Sequence, residues 1–191
     1  MSRARSRTAS GTETILRHWR EAVPDDRLAH LVKDATRALV RALSMRLAAH
    51  RVSFGHWTFL RILWEGDGLT QRELSVEAGV MEPTTLTAVR AMERLGYVTR
   101  RRVGNDRKKV HVFLTPKGRL LKRRLVPLAE DVNNIAVAGV KGADIAATRA
   151  VLLAIIENLA RDDAATPAKR MPSTRALAGI VTRPSHPRKR V

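Results

Sequence analysis

Between Leu69 and Pro116 the spacing of apolar residues changes its period, and that change restricts the possible folds more than any other feature of the chain. Up to Gly96 the apolar positions recur every three or four residues, as on a helix. After Gly96 they alternate, as on a half-buried strand. Two glycines divide the helical part. Thr70 stands three residues before Glu73, the spacing of a capping box, so a short helix starts there, buries Leu74 and Ala78, and stops at Gly79. Val80-Met81-Glu82 makes a turn. Pro83 suits the first position of the next helix because it has no amide to leave unpaired. Leu86, Val89, Met92 and Leu95 follow at three-residue steps as the expected buried stripe, and Gly96 ends the helix.

The opposite face of that second helix carries Thr84, Thr87, Ala88, Arg90 and Ala91, with Thr85 in its first turn. Small, hydroxyl-bearing and basic side chains can approach base edges and phosphates closely. The alternating part then reads as two strands, Tyr97 to Val103 and Lys108 to Leu114, with Val110, Val112 and Leu114 facing inward. Gly104-Asn105-Asp106-Arg107 has turn composition. From Arg100 to Lys109 there are six basic residues and one acid. Lysines and arginines also blunt exposed sheet edges, so this charge acquires meaning from its place beside the helix. Arg107 at the hairpin tip can enter a narrow minor groove, and Asp106 can aim it by hydrogen bonding; Arg101 and Lys108 of the same hairpin are also expected to contact DNA. Helix, turn, helix and basic hairpin in this order make a winged helix-turn-helix. The formal net charge of +18 fits double-stranded DNA as the partner.

This ordered set of motifs resembles the MarR (multiple antibiotic resistance regulator) family of transcriptional regulators. The residues that carry the resemblance are LTQRELSVEAGV, MEPTTLTAVRAMERLGYV, the hairpin with NDRKK, the exit LTPKGRLL from Leu114 to Leu121, and FGHWTFLRILWEGDGLT upstream. It covers residues 25–162 and leaves both ends of the chain outside. It implies a homodimer with two recognition helices and two wings, regulating genes and often released from DNA by a small ligand. Family ligands include organic acids and acyl-CoA thioesters, held between the dimerisation helices and the DNA-binding lobe. For this chain the resemblance places that site among parts of the first long helix, with Arg37, Arg41 and Arg46, His56 and Trp57 at the start of the second, and the start of the helix after the hairpin. The arginines could pair with an anion, whereas Trp57 shares helical spacing with Leu60 and Trp64, which also describes a core position. Some relatives sense peroxides through a reactive cysteine, and this chain has no cysteine.

The expected fold is therefore mainly α with a small β-wing, the winged helix-turn-helix being inserted between dimerisation helices. Residues 1–24 form a basic arm with a possible short helix around Ile15, Leu16 and Trp19. Residues 25–53 and 116–162 make the helical dimerisation region, 54–115 the DNA-binding domain, and 163–191 a disordered basic tail. A long helix starting at Asp25 or Asp26 would run to about His50, with Leu28, Leu31, Val32, Leu39, Leu43 and Leu47 in its stripe. A last helix near 143–160 carries Val151, Leu152, Ile155, Ile156 and Leu159. Such stripes exceed what one small lobe can cover, which leads to the expectation of a dimer. The tail from Ala164 has seven basic residues, four prolines and no acid, so it would add salt-sensitive, sequence-blind affinity for phosphates.

Other function classes find little support. There is no nucleophile elbow, phosphate loop or paired carboxylate in an apolar setting, and the six histidines show no metal-ligand spacing. No enzyme activity, cofactor or metal is expected. No stretch approaches the roughly 18 apolar residues needed to cross a bilayer, and the start lacks the apolar segment of a secretory signal. The expected location is the cytoplasm, on the nucleoid when bound. The competing DNA-binding reading is a sequence-tolerant protein that structures the chromosome, for which the basic ends would serve equally well.

Overall fold

The computed structural model describes residues 11–21, 28–103 and 109–165. The anticipated arm before Gly11, the cap at Asp25 or Asp26, the hairpin tip with Asp106, Arg107 and Lys108, and the tail beyond Ala165 lie outside the described residues. The chain divides into two compact units, up to Ala138 and from Gly139 onward.

The first unit begins with α1 (Gly11–Glu21), whose Trp19 indole donates to Asp34 in α2 (Leu28–Ala48) at 3.0 Å. Next comes α3 (Phe54–Glu65), capped by Ser53, whose hydroxyl accepts from the His56 amide. A two-residue strand, β1 (Leu69–Thr70), leads into α4 (Gln71–Ala78). Thr70 and Glu73 form the full capping box: the Thr70 hydroxyl takes the Glu73 amide, and the Glu73 carboxylate takes the Thr70 amide at 2.7 Å. These bonds stabilise the ionised carboxylate and hold its pKa below the ordinary value. Gly79 closes α4 in the left-handed conformation at φ 63°, where a side chain would be strained.

After the turn, α5 (Glu82–Arg94) has Met81 as its N-cap, and Pro83 stands second in the helix rather than first. Then come β2 (Val98–Arg102), β3 (Val110–Leu114) and α6 (Pro116–Ala136). The sheet is antiparallel in the order β1-β3-β2, with Leu69 opposite Val112 and Val98 opposite Leu114. Val112 and Leu114 turn inward as alternation predicts, and both strands are shorter than expected. The strand β1 was not expected at all. In α6, Thr115 caps the first turn and Pro127 is accommodated inside the helix at an exposed position.

The core of this unit is built from Leu47, Leu60, Leu63, Leu74, Val89, Met92, Val112 and Leu125, so α2, α3, the helix-turn-helix, the sheet and α6 share one interior. On α2 only Leu43 and Leu47 are buried, while Leu28, Leu31 and Leu39 stay exposed. The second unit contributes α7 (Gly142–Ala165), which has no buried residue; Val151, Leu152, Ile156 and Leu159 are exposed.

Candidate nucleic-acid interface

The interface is set by how α5 is mounted. Its inner face is Thr85, Val89 and Met92, all 0% exposed, with Leu86 and Leu95 only partly buried. A helix turns about 100° per residue, so a line of uniform three-residue steps drifts around the cylinder, whereas steps of four and three stay on one face. The buried stripe accordingly runs 85-89-92, not through Leu86. This removes Thr85 from the expected DNA-contacting set. Its hydroxyl lies 2.9 Å from that of buried Ser75 in α4, and the Ser75 hydroxyl bonds to the Gln71 carbonyl at 2.8 Å. Ala88 is also partly withdrawn, its methyl packing against the core.

Thr84, Thr87 and Arg90 remain exposed together on the outer face. The Thr87 hydroxyl donates to the Pro83 carbonyl at 3.0 Å. Its proton is thus engaged, and it offers an approaching group its oxygen lone pairs and its methyl.

The hairpin is tied to this helix by Arg100. Its Nε donates to Glu93 in α5 at 2.8 Å, and its backbone amide donates to the same carboxylate at 3.2 Å. Arg101 and Arg102 are exposed, with the Arg101 guanidinium 5.6 Å from the centre of the Phe113 ring. Asp67 fixes the base of the hairpin, accepting from the Leu114 amide at 2.8 Å and pairing with Arg119 of α6. The three residues singled out at the tip, Asp106, Arg107 and Lys108, lie outside the described residues.

The end of α5 is fastened to the start of α6. Thr115 donates to the Gly96 carbonyl at 2.6 Å, and from α3 Trp64 donates to the Gly118 carbonyl at 3.0 Å, tying α6 to that helix as well. A Cβ at Gly118 would lie 2.1 Å from the Tyr97 carbonyl oxygen, so only glycine allows this approach. Ser75, Asp67, Glu93 and Gly118 were not singled out from the sequence. Thr85 with Val89 and Met92 shows the 4-3 spacing that could have revealed one of the missed contacts.

Beside this junction lies an open cleft of about 350 Å³, lined by Ala49, His50, Arg51, Tyr97, Lys117, Leu120, Leu121 and Arg124. It takes in the start of α6, part of the expected ligand region, while none of Arg37, Arg41, Arg46, His56 and Trp57 lines it. Arg46 is engaged with Asp131 at 3.1 Å and with the Ala42 carbonyl at 3.2 Å, and Trp57 is buried edge-on against Trp64. Trp57 is thus part of the packed interior, and Arg46 is paired within the unit. Arg37 and Arg41 are exposed on α2. His56 is half-buried, its Nδ1 is buried without a hydrogen-bond partner, and burial lowers its pKa. Among the described residues no three His, Asp or Glu side chains cluster as metal ligands would, and no helix is long and apolar enough to cross a membrane.

Comparison with known proteins agrees with this geometry. The sequence profile of the MarR family matches residues 52–110. The HTH-type transcriptional regulator TtmR of Methylorubrum extorquens (strain PA1) is 32% identical over 111 residues, which are 58% of this chain and 57% of that protein. The chain thus spans little more than half the length of that relative. The crystal structure of transcriptional regulator PA3341 is 32% identical, with a TM-score of 0.64, covering 71% of this chain and 99% of that one. A MarR family regulator from Listeria monocytogenes complexed with 26mer DNA shares the fold at a TM-score of 0.66 and 22% identity, covering 76% of this chain and 98% of that one. Profile, relatives and fold agree with the motif order, and the chain belongs to the MarR family, a family of transcriptional regulators and not of enzymes.

Proposed function

We propose that the protein is a homodimeric, sequence-specific DNA-binding repressor. In this reading it occupies a pseudo-palindromic operator and is released by a small organic-acid or acyl-CoA-type ligand. The observation that carries the DNA-reading part is the division of α5. Thr85, Val89 and Met92 are fully buried, and this leaves Thr84, Thr87 and Arg90 exposed together beside a basic hairpin. The family's regulators bind DNA, and the Listeria protein with this fold is complexed with it. Thr87 can accept from a base amino group or touch a thymine methyl, and Arg90 can donate to guanine or to phosphate. Arg101 supplies a phosphate contact, and Arg107, aimed by Asp106 and flanked by Lys108, enters the minor groove.

A dimer is supported by the exposed Leu28, Leu31 and Leu39 of α2 and by the exposed apolar residues of α7, faces that a second copy would cover. Twofold symmetry would then place two recognition helices on the order of 34–36 Å apart, one turn of B-DNA. Cytoplasmic location follows from that partner.

The test is to incubate the full-length protein with fragmented genomic DNA at about 0.15 M salt and to sequence what is retained. A shared pseudo-palindrome supports the reading, and reporter expression from that site with and without the protein establishes repression. Uniform recovery would overturn sequence-specific reading in favour of a sequence-tolerant chromosome-structuring role.

A further inference from the structure

The two acids of α5 have different surroundings. Glu93, near the end of the helix, is bound by Arg100 of the hairpin. Glu82, its first residue, has no hydrogen-bond or ion-pair partner among the described residues. Met81, Glu82, Pro83 and Thr84 are all exposed, and the Met81 side chain makes no capping bond. One residue further on, Thr85 is buried against Ser75 and fixes the direction of the helix. The start of α5 therefore holds an unpaired carboxylate in a defined place.

That charge is opposite to the rest of the molecule. The chain has a formal net charge of +18, and in the regulator reading its partner is a polyanion. The first residues of a recognition helix meet base edges. An ionised carboxylate can only accept hydrogen bonds. Against a phosphate, the O6 or N7 of guanine or the O4 of thymine, it meets another acceptor and loses its water without return. In the major groove the donors are the exocyclic amino groups, N4 of cytosine and N6 of adenine.

Resting on the regulator reading above, we propose that Glu82 is a specificity-determining residue that accepts from the exocyclic amino group of a cytosine or adenine in each operator half-site. Its main effect is exclusion, because any sequence that puts an acceptor at that place is penalised. Glu82 thus adds to discrimination and subtracts from affinity for DNA at large. A carboxylate that served only the positive end of the helix dipole would do neither. Its removal would lower stability, and with it binding to all sequences alike.

The experiment measures binding of full-length wild type, Glu82→Gln and Glu82→Asp at one ionic strength. The DNA is the selected operator, operators with each base pair replaced in turn, and unrelated sequence. Gln keeps an accepting carbonyl, adds donors and loses the charge. Asp keeps the charge at the helix end but withdraws it by one methylene. In a further operator set the wild type meets 2-pyrimidinone for cytosine or purine for adenine, each lacking only the amino group. Thermal melting follows the folding of each variant.

At one position in each half-site the wild type should prefer cytosine or adenine by about 5- to 150-fold. Loss of that preference on the pyrimidinone operator assigns cytosine, and on the purine operator adenine. Glu82→Gln should flatten the preference at that position alone and bind unrelated DNA about two- to fivefold more tightly. Glu82→Asp should melt with the wild type and lose the same preference. Variants that both keep the wild-type preference at every position overturn the assignment and leave the regulator reading intact. So does a Glu82→Gln protein that melts early and loses affinity equally on all DNA while Glu82→Asp matches the wild type, which is the helix-end role alone. Uniform recovery of genomic fragments by the wild type would overturn the regulator reading itself, and this assignment with it.

Discussion

Ser75 and Thr85 meet hydroxyl to hydroxyl at 2.9 Å across the contact between α4 and α5, with both residues buried. A threonine in the first turn of a recognition helix would ordinarily be assigned to DNA; this one faces inward and joins the two helices. Thr85→Val should therefore lower the stability of the protein by about 1 kcal/mol, the net worth of one buried hydrogen bond, in urea denaturation. It should leave the preferred operator bases unchanged. Thr87→Val is the contrasting variant: its stability should match the wild type closely, while binding-site selection should show altered base preference, with about 1–3 kcal/mol less discrimination at one position. Altered base preference in Thr85→Val would show that the buried position is opened on DNA.

The wing arginines differ in what holds them. Arg100 is paired with Glu93, whereas Arg101 and Arg102 are exposed. Arg101→Ala should weaken binding to all sequences alike and reduce the slope of log affinity against log salt by about 1, as expected for one phosphate contact. Arg107→Ala should cost most on operators with narrow-groove flanks. Equal losses on all flanks would make Arg107 a phosphate contact only.

His56 gives the fold a dependence on pH. Burial lowers its pKa from the ordinary 6.5, so the unfolded chain takes up a proton more readily than the folded one. This contribution to stability is complete above 6.5 and is lost as pH falls through the lowered folded value. Urea denaturation of the wild type and of His56→Gln at a series of pH values isolates the effect. The difference between the two curves should change below pH 6.5 and stay constant above it. A difference independent of pH would remove His56 as its source.

Gly118→Ala sets two effects against each other. Alanine favours a helix over glycine by about 1 kcal/mol, yet the added Cβ would stand 2.1 Å from the Tyr97 carbonyl oxygen, a backbone atom that cannot swing aside. Overpacking of this kind costs typically about 1–3 kcal/mol, so the substitution should destabilise, measured as a lower denaturation midpoint. A raised midpoint would mean that α6 shifts easily at its first turn.

The parts of this structure that could be read in advance are the ones determined by near neighbours. Thr70 and Glu73 are three residues apart, and Gly79 and Gly96 act through their own backbone angles, φ 63° and 72°. The change of period after Gly96 depends on side chains within one strand. By contrast, β1 has only two residues and no period to detect. The burial of Thr85 was within reach through its spacing to Val89 and Met92, but a hydroxyl on a DNA-binding helix invites the outward reading. The cleft beside this junction is lined by residues from Ala49 to Arg124 that meet only when α6 returns against the end of α5. No local pattern marks such a meeting. Arg46 and Trp57 illustrate the converse: the sequence shows a free arginine and an aromatic, and the fold pairs one with Asp131 and buries the other beside Trp64.

Arg51 holds a left-handed backbone at φ 59°, the one non-glycine residue to do so among those described. Side chains there cost on the order of 1 kcal/mol relative to glycine, so a selection for heat resistance would tend to find Arg51→Gly. That gain would remove a guanidinium from the cleft. Robustness of the backbone and positive charge in the cleft would then pull this position in opposite directions.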